Sequence, residues 1–385
     1  MNAQVKTVLL VDDEPANIQI VNSILKDTYK TRIATSGAKA LELASQEPAP
    51  DLILLDVMMP EMDGYEVCSR LKSADHTRDI PVIFLTGQTE IEDETKGFNV
   101  GAVDYIHKPF SPAVVQARVH THLVLRGIRA QLASQLQTIQ SEMNTARQIQ
   151  LSILPREIPA IKGLDISARY LPMTSVAGDF YDFIAIDEKR IGILVADVSG
   201  HGMPAALISS MLKIALDGQT KHATDPARVL DGLNRALCGK FQGHFVTAVY
   251  VVVDTERECL LYAGAGHPPL ILMDHSTGEA HDFLENGLFL GYFPDASYTA
   301  MEIPFKAGDW GVLYTDGIPE MTDPSDEQFG LERLKQFLQD NHDLSAGQFV
   351  DALLDELSRW SDLASGREAE DDITLLAFHF ERQPA

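Results

Sequence analysis

From about His120 to Leu154 the sequence has no proline and a single glycine, Gly127. Apolar residues recur there at Leu125, Ile128, Leu132, Leu136, Ile139, Met143, Ala146, Ile149 and Ile153. The mean step is about 3.5 residues, the repeat of a narrow coiled-coil seam. Most flanking residues are polar and uncharged. A stretch of this kind cannot be a strand or a loop, so it divides the chain into two globular blocks and a helical connector. Two readings of the seam stay open: a helix that pairs with a second copy, or one amphipathic helix packed on its own domain.

Charge follows the same division. Residues 1–118 hold 11 basic and 18 acidic residues, a net of −7; residues 119–156 hold four and one, a net of +3; residues 157–385 hold 16 and 37, a net of −21. The total of −25 opposes a large footprint on nucleic acid or on an anionic membrane, because phosphates are repelled. It suits sites that hold divalent cations. Cys68, Cys238 and Cys259 show no pairing or ligand spacing and read as buried thiols of a reducing compartment. No apolar run reaches membrane-spanning length and no signal pattern opens the chain. A cytoplasmic protein is expected.

The first block alternates strands and helices. Val5–Val11, Leu52–Asp56 and Pro81–Thr86 are short apolar runs of the kind buried on both faces of a parallel sheet. Pro15–Leu25 and Gly37–Ala44 have helical spacing between them, giving a doubly wound α/β domain. Asp12 and Asp13 close the first strand and Asp56 closes the next clear one. Strand C-termini of such sheets line one crevice. Three carboxylates there repel each other unless a hard cation such as Mg²⁺ lies between them. Thr86 and Lys108, at the ends of later strands, would suit an incoming phosphoryl group.

These motifs, VDDEP, LLDVMMPEMDG, FLTG and DYIHKPF, resemble the receiver domain of bacterial two-component response regulators. The resemblance implies a five-stranded flavodoxin-like fold over residues 1–122. It implies Asp56 as phosphoacceptor, and Mg²⁺ held by Asp12, Asp13, Asp56 and the carbonyl of Met58. It also implies Thr86 and Lys108 at the acyl phosphate, Tyr105 as the switch aromatic, and a histidine kinase as phosphodonor.

The second block carries many strand-like runs: Ile191–Asp197, Thr247–Asp254, Cys259–Ala263, Pro269–Met273, Trp310–Tyr314 and Ile373–Phe380. Helical stretches lie at Pro204–Leu216 and Pro226–Leu237, with another helix or pair from Leu331 to about Trp360. Strands at hairpin spacing with helices between them predict an α+β sandwich of antiparallel sheets flanked by helices. Four acidic motifs adjoin the strands: AGDFYDF with Asp179, VADVSGHG with Asp197, LYTDGIPE with Asp316, and EDDITLL with Asp371 and Asp372.

In this order the motifs resemble the metal-dependent PPM/PP2C serine/threonine phosphatases, in the bacterial branch of sporulation and stress-response enzymes. The entry segment ARQIQLSILP and the GAGHPP turn at Gly264–Pro269 add to it. The resemblance implies a phosphatase domain over 156–385 after a coiled-coil linker over 123–155, with two Mn²⁺ or Mg²⁺ ions. Asp197 would bridge the ions, Asp316 and Asp371 complete one site, and Asp179 with the carbonyl of Val198 serve the other. Asp372 ranks second as a ligand. Ser199 stands where eukaryotic relatives have a candidate general-acid histidine. His201 nearby is a secondary candidate or a turn residue; His267 reads as a turn residue, and Arg169 is too weakly placed to assign. The family also implies a phosphorylated anti-anti-sigma protein of the STAS fold as substrate; the heptad seam of the linker helix, by its own spacing, favours a homodimer. The competing expectation is a phosphatase-like adaptor that binds a sigma-pathway protein without catalysis. A DNA-binding output fares worse, since no helix-turn-helix block follows the receiver.

Overall fold

The computed structural model describes residues 5–87, 97–173, 176–241, 243–284, 286–362 and 371–381. The chain divides into two compact units, residues 1–139 and 140–385.

The first unit is built on five parallel strands in the order β2-β1-β3-β4-β5: β1 (Thr7–Val11), β2 (Lys30–Ala34), β3 (Leu52–Asp56), β4 (Val82–Thr86) and β5 (Asp104–His107). Every residue of β1, β3 and β4 is buried, because helices cover both faces. Val8, Leu10, Leu54 and Ile83 form one core layer, and Leu9, Val11, Ile53 and Phe84 the other. β2 lies at the edge and is half exposed, so its sequence KTRIA lacks the apolar run that marks its neighbours. The helix Gly64–Ser73 starts hard against the end of β3. A Cβ on Gly64 would lie 2.2 Å from the Asp56 carbonyl oxygen, so only glycine allows this approach.

One helix runs unbroken from Pro112 to Ile153, 42 residues, or about 63 Å at 1.5 Å per residue. The sequence pattern placed its start near His120. It begins earlier because Val115, Val119 and Leu123, on one face of its first turns, pack into the receiver core; proline is tolerated in a first turn. A limit at 122/123 thus falls inside a continuous helix. Beyond the core, Leu125, Ile128, Leu132, Leu136 and Ile139 are 45–58% exposed.

The second unit stacks two sheets. The strands β6 (Leu164–Leu171), β10 (Cys259–Ala265), β11 (Leu270–Asp274), β12 (Glu279–Phe283), β13 (Asn286–Gly287) and β14 (Met301–Pro304) join β7 (Phe180–Ala185), β8 (Arg190–Val198), β9 (Val246–Asp254), β15 (Trp310–Tyr314) and β16 (Ile373–Phe380): one sheet has the order β13-β10-β9-β8-β7, with β14 also pairing β10, and the other the order β12-β11-β15-β16-β6. The strands that matter for the site are β7, β8, β9, β15 and β16. Alternate residues of β8 and β9 face different layers. Ile193, Val195, Val249 and Val251 meet Leu313, Leu376 and Phe378 between the sheets. Leu194, Ala196, Ala248 and Tyr250 face the helices Met203–Asp217 and Pro226–Leu237. The helices Gly330–Asp340 and Ala346–Trp360 cover the other sheet through Leu334, Phe349 and Leu353. Among the described residues no helix is long and apolar enough to cross a membrane.

Candidate functional site

In the first unit, the strand ends deliver the acidic residues to one point. Asp12 and Asp56 are buried and Asp13 half-buried, and one ligand oxygen from each lies within 4.8 Å of the others. Lys108 Nζ lies 3.0 Å from both Asp12 Oδ2 and Asp56 Oδ2. The other Asp12 oxygen accepts from the Glu14 N–H at 2.9 Å and from Asn17 Nδ2 at 3.1 Å, which sequence reading did not foresee. Burial pushes the Asp56 carboxyl above its ordinary range, with the neighbouring Asp12 charge adding to it and Lys108 opposing. For Lys108, burial pulls the ammonium down, but its bonds to Asp56 and Asp12 outweigh this and hold it above the usual lysine range. Thr86 is buried at the end of β4. Met58 is 65% exposed just beyond β3. Tyr105 is buried against Phe84 and Phe98, with ring centroids 5.8 and 5.1 Å away. A Cβ on Gly97 would lie 2.1 Å from the Tyr105 hydroxyl.

In the second unit, antiparallel pairing brings four distant motifs to one end of the sandwich. Asp179 precedes β7, Asp197 lies near the end of β8, Asp316 follows β15, and Asp371 and Asp372 precede β16. Asp179, 2% exposed, joins the two sheets: its Oδ2 accepts from Thr315 Oγ1 and Thr374 Oγ1, each at 2.7 Å. Thr315 Oγ1 in turn accepts from the Thr374 N–H at 2.9 Å. Both threonines stand inside the motifs TDG and DDIT, yet only the pairing of β15 with β16 shows their common partner. Gly317 lets these motifs meet, since a Cβ there would lie 2.1 Å from the Asp372 carbonyl oxygen. Gly178 lies against Val198, whose carbonyl oxygen would be 2.8 Å from an added Cβ.

The electrostatics are those of crowded, mostly buried acids. Burial pushes Asp197 up to about 7, with Asp316, Asp371 and Asp372 adding to it, while a hydrogen bond with Asp179 opposes. Burial, then the Asp197 charge, holds Asp179 well above the carboxylate range. Asp316 is raised by burial and then by Asp371. Among the described residues, no Lys or Arg pairs with Asp179, Asp197, Asp316 or Asp371. Carboxylates and a carbonyl without a counter-charge are hard-oxygen donors of the kind that Mg²⁺ or Mn²⁺ takes. Only Asp12, Asp13 and Asp56 have ligand atoms drawn within 4.8 Å as a set of three among the described residues.

The remaining candidates fall into place around this group. Asp372 accepts from the Met173 N–H at 2.7 Å and the Gly178 N–H at 2.8 Å, so both its oxygens hold the loop before Asp179. His201 is exposed in a turn between Gly200 and Gly202, whose φ values are 86° and 79°. His267 is buried, its Nδ1 2.9 Å from Thr247 Oγ1, and burial pushes it down to about 3, so it is neutral. Arg169 pairs with Asp351 at 2.7 Å, on the helix Ala346–Trp360. Gln150 was missed by sequence reading. It is 5% exposed near the end of the long helix. Its Nε2 donates to the Ala177 carbonyl at 2.6 Å and to Ser209 Oγ at 3.1 Å, and its Oε1 accepts from the Ala177 N–H at 3.1 Å. Ala177 stands two residues before Asp179.

The profile of Stage II sporulation protein E (SpoIIE) matches residues 187–381, and that of the response regulator receiver domain matches residues 8–120. The chain belongs to the SpoIIE family. Its second unit is a serine/threonine phosphatase domain of the PPM type, and its first is a receiver. Phosphoserine phosphatase RsbU of Bacillus subtilis is 32% identical over 258 residues, covering 66% of this chain and 72% of RsbU. A probable cyclic di-GMP phosphodiesterase of Vibrio cholerae is 47% identical over 137 residues, covering 36% of this chain; the chain spans only 31% of that relative's length. The SiaA-PP2C domain of Pseudomonas aeruginosa superposes with a TM-score of 0.58 and 26% identity, over 65% of this chain and all of that domain.

Proposed function

We propose that this chain is a response regulator in which phosphorylation of Asp56 controls hydrolysis of phosphoserine or phosphothreonine on another protein. The convergence of Asp179, Asp197, Asp316 and Asp371 at one end of two sheets carries the phosphatase reading. By the family resemblance, Asp197, Asp316, Asp371, Asp179 and the Val198 carbonyl would hold two Mn²⁺ or Mg²⁺ ions, with Asp197 shared between them. Such ions supply Lewis acidity toward water and phosphoryl oxygens. Thr315 and Thr374 orient the Asp179 carboxylate, and Asp372 fixes its loop. His201 is kept as a secondary candidate for proton transfer, reached from an exposed turn.

In the receiver, Asp12, Asp13, Asp56 and the Met58 carbonyl would hold Mg²⁺. A phosphoryl group on Asp56 adds about −1.5 to −2 charge. Thr86 and Lys108 are the partners drawn toward it, and Tyr105 is the aromatic that repacks. A histidine kinase is the donor by family. The substrate class we favour is a phosphorylated STAS-type anti-anti-sigma protein, since RsbU and RsbP, also 32% identical, are phosphoserine phosphatases. The domain limits we use are 1–122, 123–155 and 156–385.

The long helix is the proposed transmitter, and its exposed seam the surface that pairs with a second copy. Gln150 supports this reading, because any rotation of the helix end acts on Ala177 and so on Asp179. The test is Mn²⁺-dependent phosphate release from a phosphorylated STAS-type protein, with Asp56 phosphorylated and free. A four-residue insertion beside Ser141 turns the helix by roughly 40°. Activity should then cease to follow Asp56 phosphorylation; normal coupling in that variant overturns helical transmission.

A further inference from the structure

An aromatic surface begins beside the catalytic carboxylates. Ser199 stands two residues after Asp197 and is stitched to the turn before β9. Its hydroxyl accepts from the Phe245 N–H at 2.9 Å, its own N–H donates to the Phe245 carbonyl at 3.0 Å, and His244 Nδ1 lies 2.8 Å from its carbonyl oxygen. The Phe245 ring packs on Phe289 with centroids 4.2 Å apart. Phe289 in turn meets Phe293 and Tyr292, at 5.3 and 5.8 Å. The aromatic chain ends at the surface, where Tyr292 is 56% and Leu288 51% exposed.

Single exposed apolar side chains are ordinary. These sit on a loop that is pinned at several points. Leu290 and Val246 exchange backbone hydrogen bonds of 2.7 and 3.0 Å. The Tyr298 hydroxyl donates to the Leu288 carbonyl at 2.9 Å. Asn234, 1% exposed, donates to the Phe293 carbonyl at 2.8 Å and accepts from the Gly291 N–H at 2.9 Å. Gly291 has φ 89°, and a Cβ there would lie 2.8 Å from Phe241. The fold therefore holds apolar groups toward water in a fixed arrangement. Side chains ordered before association lose little entropy on binding, which is how a few aromatic residues come to dominate an interface.

Charge selects the occupant. Residues 157–385 hold 16 basic and 37 acidic residues, yet residues 286–294, NGLFLGYFP, bounded by Glu285 and Asp295, hold no acidic, basic or histidine residue. A phosphoprotein is anionic at its modified residue, and acidic surface repels it except where cations or an uncharged patch receive it. We propose that Leu288, Phe289 and Tyr292 form a docking platform for an apolar patch of the phosphoprotein substrate, next to its phosphoserine. This rests on the phosphatase reading above. The platform acts on substrate recognition and leaves the chemistry at the carboxylates untouched.

The experiment compares two substrates on the full-length chain with Mn²⁺: p-nitrophenyl phosphate, which is too small to reach the platform, and a phosphoserine-bearing STAS-type protein. In Tyr292→Ala and Leu288→Ala, both at exposed positions, kcat/KM for the protein substrate should fall about tenfold or more, chiefly through KM. Turnover of p-nitrophenyl phosphate should stay within about twofold, and the sedimentation coefficient should not change. Equal turnover of the protein substrate by variants and wild type overturns the platform alone. A lowered oligomeric state in the variants also overturns it, and makes the patch a contact between copies. Wild type inactive on both substrates overturns the phosphatase reading and the platform with it.

Discussion

In the receiver, Lys108 lies 3.0 Å from both Asp12 and Asp56. In the phosphatase unit, Asp179, Asp197, Asp316 and Asp371 have no such ammonium among the described residues. They are held by hydroxyls, by backbone amides and by a hydrogen bond between two carboxylates. Both sites gather acids at strand ends, but they neutralise them differently. The receiver carries a built-in counter-charge. The phosphatase gathers buried acids with no ammonium beside them, which favours cations taking that role. The first arrangement suits a site that keeps a phosphoryl group for a time. The second suits a site that depends on metal for any activity.

The largest effects should come from removing the acid central to each site. Asp197→Ala should lower phosphate release at least about 10²-fold, the scale of losing one charge-stabilising group, with acid-labile phosphate at Asp56 from acetyl phosphate unchanged. Asp56→Asn should do the reverse: no acid-labile phosphate, and retained hydrolysis of p-nitrophenyl phosphate. Any variant of one site that silences both would break the comparison.

Removing the counter-charge should come next. Lys108→Ala leaves Asp12 and Asp56 buried together, and breaking a buried pair costs about 3–5 kcal/mol. Lys108 is itself 24% exposed, so the low end of that range is expected. Urea denaturation should show the loss without divalent cation and a partial recovery with Mg²⁺. No loss in stability would mean that Lys108 does not balance the acids.

A smaller effect concerns pH. Asp197 is pushed up to about 7, so the folded metal-free state keeps a proton that the unfolded chain has already lost. This group therefore costs stability as pH rises from the ordinary carboxylate range to about 7. Mn²⁺ displaces the proton, so its binding strengthens over the same interval. The rise in Tm on adding Mn²⁺ should be greater at pH 8 than at pH 6, and Asp197→Asn should abolish the difference. An equal rise at both pH values would contradict the shared-proton picture.

What could be read in the sequence follows from the same physics. Strands buried on both faces announced themselves, as at Leu52–Asp56 and Trp310–Tyr314, whose ends match the structure. β2 did not, because an edge strand with one residue buried has no apolar run. Motif aspartates were legible because each adjoins such a run. Thr315, Thr374 and Gln150 were not, because their partner in each case is a residue more than 25 positions away: Asp179 for the threonines, Ala177 for Gln150. Asp372 shows the same limit: its type and place suggested a ligand, and its bonds to the Met173 and Gly178 N–H groups, both far away in sequence, became visible only in the fold. The start of the long helix was hidden because Val115, Val119 and Leu123 belong to the receiver core, while the seam after them faces outward.

The account rests on two acidic sites that bind cations independently. Calorimetric titration of Mn²⁺ into wild type, Asp56→Asn and Asp197→Asn at pH 8 tests this most directly. Asp56→Asn should lose the receiver component of the isotherm alone, and Asp197→Asn the phosphatase component alone. An isotherm that either substitution removes completely, or that neither one alters, would contradict it.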